Sequence, residues 1–90
     1  MRSYRKNGTK KWYQDGLQHR ENDQPALVQL NGYSEWWKHG LLHRENDQPS
    51  ITTPFGEKYW HQNGKLHRDG DQPAVITEHG NQEWYQNGLL

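Results

Sequence analysis

Seven consecutive residues, His19-Arg20-Glu21-Asn22-Asp23-Gln24-Pro25, return unchanged 24 positions later as His43-Arg44-Glu45-Asn46-Asp47-Gln48-Pro49. They return once more as His67-Arg68-Asp69-Gly70-Asp71-Gln72-Pro73. Trp12, Trp36, Trp60 and Trp84 keep the same step, as do Gly16, Gly40, Gly64 and Gly88. A period held in register through the whole chain marks a repeat array, in which each unit packs only against its neighbours. Residues 1–90 therefore read as one array. It comprises a partial unit 1–10, units 11–34, 35–58 and 59–82, and a partial unit 83–90.

Each unit reads as β-structure. Asp15-Gly16, Asn63-Gly64 and Asn87-Gly88 are dipeptides that favour two-residue type I′ hairpin turns, and His39-Gly40 is a weaker version at the same place. A second turn is expected at Asn7-Gly8 and Asn31-Gly32, with Thr53-Pro54-Phe55-Gly56 and His79-Gly80 as variants. The polar run Glu45-Asn46-Asp47-Gln48 predicts a bulge or bend before Pro49 resumes an extended path. No window shows a helical apolar face. The expected fold is all-β, a single elongated, twisted antiparallel meander with no helix. Strand alternation puts Trp36 and Trp37 on opposite faces.

Composition first argues against any fold. Leu, Ile, Val and Phe account for only 13 of 90 residues, a share typical of disordered chains. Disorder of that kind goes with high net charge and few aromatics. This chain has zero formal net charge and five Trp and five Tyr. Aromatic and β-branched cross-strand pairs take the place of a thick aliphatic core. With no cysteine, a disulfide framework, a thiol nucleophile and a thiolate zinc site are all excluded. No apolar run approaches the roughly 20 residues that span a bilayer. The N-terminus lacks the apolar stretch of a secretory signal. A cytoplasmic, soluble protein is expected.

The pattern Trp-aromatic-x-Asn-Gly-x-x-His-Arg-x-x-x-x-Pro-Ala, with a Gly seven residues after the Pro, resembles the MORN-type repeats (membrane occupation and recognition nexus). It is most similar to the variant found in bacterial, phage and giant-virus proteins, among them antitoxins. Ordinary MORN units match Trp60, Asn63 and Gly64 but not His67 or Pro73. The resemblance implies an elongated β-meander that serves as a binding scaffold without chemistry of its own.

The His-Arg-x-x-Asp segments are the place to look for catalysis, as base, oxyanion clamp and orienter. No nucleophile recurs with them. The favoured reading pairs Arg20 with Asp23, Arg44 with Asp47 and Arg68 with Asp71 across each bend, so no catalytic residue and no enzyme is proposed. His19, His43 and His67 would stand roughly 10 Å apart along the sheet, too far to share one zinc ion. No metal and no cofactor is expected. Arg2, Arg5, Lys6, Lys10 and Lys11 precede the first acid, Asp15, and the rest of the chain holds six basic and eleven acidic residues. Edge protection is the favoured reading of that cluster, over a nucleic-acid arm.

A single-layer sheet cannot bury both faces. Some of Tyr13, Trp37, Tyr59, His61 and Tyr85 are therefore expected to be exposed, and with Arg20, Arg44 and Arg68 they are the candidates for a partner-binding surface. Trp12, Trp36, Trp60 and Trp84, the four hairpin glycines, Asp23, Asp47, Asp71, Pro25, Pro49 and Pro73 are read as structural. Leu89 and Leu90 are expected at the edge of a two-fold homodimer. The function this favours is a non-enzymatic module that inhibits or titrates another protein. By analogy of size and family that means an inhibitor of a host defence complex from a phage or mobile element, anti-CRISPR-like or antitoxin-like. The alternative is a nucleotide or small-ligand sponge built from repeated Trp/His/Arg clefts. Membrane association is disfavoured by zero net charge and the lack of an amphipathic helix.

Overall fold

A computed structural model describes residues 2–89. These form an all-β, antiparallel meander without helix. In chain order the strands are β1 (Arg2–Lys6), β2 (Thr9–Gln14), β3 (Leu17–Gln18), β4 (Leu27–Val28), β5 (Ser34–Glu35), β6 (Trp37–Lys38) and β7 (Leu41–Leu42). They continue as β8 (Ile51–Thr52), β9 (Lys58–Tyr59), β10 (His61–Gln62), β11 (Lys65–Leu66), β12 (Val75–Ile76) and β13 (Gln82–Glu83). The main sheet runs β1-β2-β4-β5-β8-β9-β12-β13, with β3 paired to β2. β6-β7 and β10-β11 are separate two-stranded hairpins. The principal extents are 36 × 25 × 19 Å. The radius of gyration is 13.2 Å, against about 12 Å for a compact chain of this length.

Trp12, Trp36 and Trp60 are the corners at which the main sheet gives way to each unit's hairpin. The Trp36 N–H donates to the Ser50 carbonyl at 2.8 Å, in the sheet, while the Trp36 carbonyl accepts from the His43 N–H at 3.1 Å, in the hairpin. Trp12 does the same between Ala26 and His19, and Trp60 between Ala74 and His67. The hairpins then stack on one another. The Gly40 N–H donates to the Gln18 carbonyl, Gly64 to Leu42 and Gly88 to Leu66, at 2.8–2.9 Å.

Turn chemistry sets this geometry. Asp15-Gly16, His39-Gly40, Asn63-Gly64 and Asn87-Gly88 all have positive φ at both residues, as a type I′ turn requires. The run Glu45-Asn46-Asp47-Gln48 is also a type I′ turn rather than a bulge. Asn46 and Asp47 have φ of 61° and 56°, and the Gln48 N–H closes on the Glu45 carbonyl. At the opposite edge, Gln29 and Tyr33 enclose a three-residue loop in which only Gly32 has positive φ. This is the type I turn with a glycine bulge. Asn7-Gly8 stands at the same phase but is a two-residue turn, with Lys6 opposite Thr9. The missing loop residue slips β1 by one. Tyr4 faces Lys11, where the pairing of Leu27 with Glu35 in the next unit would put Ser3.

The core is thin. Ala26, Ser50 and Ala74 are fully buried beside the corner tryptophans, and Leu27, Trp60 and Val75 complete it with His19. At Gly64 a Cβ would lie 3.2 Å from Leu41 Cδ2, whereas at Gly16 it would meet open space. Gly64→Ala should therefore cost more than the roughly 1 kcal/mol of left-handed backbone strain expected for Gly16→Ala. Urea midpoints of the two variants check this.

Candidate functional site

The His-Arg segments sit where one unit meets the next. The Arg44 Nε and Nη2 groups donate to both carboxylate oxygens of Asp23, at 2.9 and 3.2 Å. Arg68 holds Asp47 in the same way. The expected pairing of Arg44 with Asp47 and Arg68 with Asp71, inside a unit, is thus corrected. Each guanidinium reaches back to the preceding unit, because stacking places one bend above the last. The remaining Nη1 of Arg20, Arg44 and Arg68 donates to the carbonyl of Pro25, Pro49 and Pro73 respectively, at 3.1–3.2 Å. Each guanidinium also lies over its own corner tryptophan, 3.7–3.8 Å from the ring centroid of Trp12, Trp36 or Trp60. The Nε1 atoms of Trp36, Trp60 and Trp84 donate to the carbonyls of Asp23, Asp47 and Asp71. Arg20 meets no carboxylate among the described residues.

The histidines form a second ladder. The N–H groups of His39, Asn63 and Asn87 donate to Nδ1 of His19, His43 and His67 at 3.0–3.1 Å. A ring nitrogen that accepts carries no proton. The proton of each neutral ring is therefore on Nε2, which donates to Glu21, Glu45 or Asp69 at 2.7–2.8 Å. These hydrogen bonds hold the Glu21 and Glu45 carboxyls below their ordinary range. Both nitrogens of each histidine are engaged, and His19 is 1% exposed. No group of three or more potential ligands suited to a metal ion occurs among the described residues.

Between consecutive bends lies an open cleft. The first, of about 190 Å³, is bounded by Arg20, Glu21 and Asp23 on one side and by Trp36, Lys38 and Arg44 on the other. The second, of about 350 Å³, is lined by Glu45, Asp47, Trp60, Gln62, Arg68 and Asp69 among others. Every residue lining the second is the 24-residue equivalent of one lining the first.

Tyr13, Trp37, Tyr59, His61 and Tyr85 are half-buried rather than exposed. Hydrogen bonds to neighbouring acids hold two of them, Trp37 and Tyr85, and also Tyr33. Tyr33 Oη and Trp37 Nε1 both donate to the Glu35 carboxylate, at 2.6 and 2.7 Å, and Tyr85 Oη donates to Glu83. Burial and then the Glu35 bond push the Tyr33 phenol well up. The large apolar side chains that do face solvent are others. Leu30 and Phe55, at the tips of the three-residue loops, are 84% and 68% exposed, and Trp84 is 45% exposed. Leu89 is exposed, and Leu90 lies outside the described residues.

One pair escaped the sequence reading. Ser50 Oγ lies 3.1 Å from the Tyr59 carbonyl, to which it donates, and 2.7 Å from His61 Nδ1. The signal was present as a correlated change, since the equivalent pairs are Ala26/Trp37 and Ala74/Tyr85. Burial lowers the His61 pKa, partly countered by Glu35. Ser50 is fully buried, so the pair fills space between strands and presents no hydroxyl to a substrate. Comparison with known protein families, curated proteins and solved structures finds no match for this chain.

Two outcomes follow from the ladders. Arg68→Ala should destabilise by roughly 1–2 kcal/mol, more than Arg20→Ala, because it also removes the ion pair with Asp47; thermal melts compare them. Lowered carboxyl pKa values add stability that is present above the unfolded value near 4.5 and is lost as pH falls through the folded values. Melting temperature should therefore drop below that pH, and drop less steeply in a Glu21→Gln, Glu45→Gln variant.

Proposed function

We propose that the chain is a non-enzymatic binding module that acts by engaging and occluding another protein. The observation that carries this reading is the consumption of its reactive side chains as struts. Both nitrogens of each ladder histidine, and every nitrogen of the Arg44 and Arg68 guanidinium groups, bond within the array. What the array offers outward is relief: clefts repeated at a fixed step, and apolar loop tips at Leu30 and Phe55. Exposed apolar side chains set in a polar surface are features of protein interfaces. The resemblance to MORN-type repeats agrees with a scaffold role. In its concrete form the protein inhibits a host defence complex on behalf of a phage or mobile element, anti-CRISPR-like or antitoxin-like.

The repeated clefts favour one second reading, a nucleotide or small-ligand sponge. The indole faces of Trp36 and Trp60 already carry an Arg guanidinium, which weakens the case for base stacking there. The immobilised chain should retain one dominant protein from a host lysate, and a Leu30→Ser, Phe55→Ser variant should retain less of it at unchanged melting temperature. Quenching of Trp fluorescence by nucleotides at about two ligands per chain, with no protein retained, would establish the sponge instead.

A further inference from the structure

The β1-β2 hairpin carries Arg5, Lys6, Lys10 and Lys11, and neither strand holds an acidic residue. None of these four cations makes an ion pair among the described residues. Edge protection accounts for the cations of β1, which lies at one end of the sheet order. It does not account for Lys10 and Lys11. They stand on β2, which is paired to β1 on one side and to β3 and β4 on the other, and they alternate to opposite faces. Arg5 also stands directly opposite Lys10, a placement that costs stability. On one face Lys6 and Lys11, with Asn7, Thr9, Gln29 and Leu27, line an open concavity of about 490 Å³.

We infer that this hairpin docks an acidic, extended segment of the protein partner. The inference rests on the binding-module reading and names the partner's chemistry. Charge complementarity supplies the attraction, and the five residues of β1 span about 17 Å, the length of five extended acidic residues laid along its edge. Two observations favour an acidic protein segment over nucleic acid. The Trp12 ring is already engaged by the Arg20 guanidinium at 3.7 Å and by Lys10 Nζ at 5.0 Å, which leaves it poorly placed to stack on a base. Beyond the hairpin the chain holds six basic and eleven acidic residues, which repel a long polyanion but not a short one.

The test uses the full chain and a fluorescein-labelled decaglutamate peptide, read by fluorescence anisotropy, with single-stranded and duplex DNA of equal charge as competitors. The peptide should bind, and should bind more weakly as salt rises toward about 0.5 M. Lys10→Glu with Lys11→Glu should weaken it at least about tenfold, while Lys58→Glu with Lys65→Glu leaves it unchanged. The melting temperature of the hairpin variant should hold or rise, because Arg5 then faces a carboxylate. Peptide affinity within about twofold of wild type, an equal loss in the control variant, DNA binding as tight as the peptide, or a lowered melting temperature would each overturn the assignment. Undiminished capture of the lysate protein by the hairpin variant would overturn it too, yet leave the binding-module reading standing. That reading fails only if the wild-type chain captures nothing.

Discussion

Units 35–58 and 59–82 are each held to the one before by an arginine, Arg44 or Arg68, that does three things at once. Its fork closes on an aspartate of the preceding bend, its third nitrogen takes a proline carbonyl of its own bend, and its plane covers a tryptophan. No single one of these contacts is large. A half-exposed ion pair contributes about 1 kcal/mol or less, and a cation over an indole about the same. Their coincidence on one rigid fork makes the junction, since ordering a single side chain satisfies all three together. The histidine ladder adds a second strut at the other side of the same junction.

This arrangement explains how a chain with so few aliphatic residues holds a defined shape. Stability in such an array is a sum of unit and nearest-neighbour terms. Here the neighbour term is polar and aromatic rather than aliphatic. The small residues Ala26, Ser50 and Ala74 are fully buried, with their carbonyls bonded to the N–H groups of the corner tryptophans. Low aliphatic content is thus a property of the junction and not a sign of disorder.

Much of the fold was legible in the sequence. Asn-Gly and Asp-Gly turns, the absence of helix and the meander follow from local rules that need no knowledge of neighbours. What stayed hidden was whatever depends on how units stack. Arg44 and Asp47 are three residues apart, so pairing within the bend was the natural reading; only stacking of one bend on the last brings Asp23 closer. The half-burial of Trp37 was hidden for a similar reason, as it follows from a bond to Glu35 that alternation does not reveal. The slip of β1 came from a turn one residue shorter than its equivalents, although Asn7-Gly8 and Asn31-Gly32 are spelled alike.

The junction depends on the direction of the arginine contact. A double-mutant cycle measures it by comparing Arg68→Ala combined with Asp47→Ala against Arg68→Ala combined with Asp71→Ala. A coupling of about 1 kcal/mol with Asp47 and none with Asp71 is the predicted result. Coupling to Asp71 instead would place the arginine back inside its own bend and contradict the junction described above.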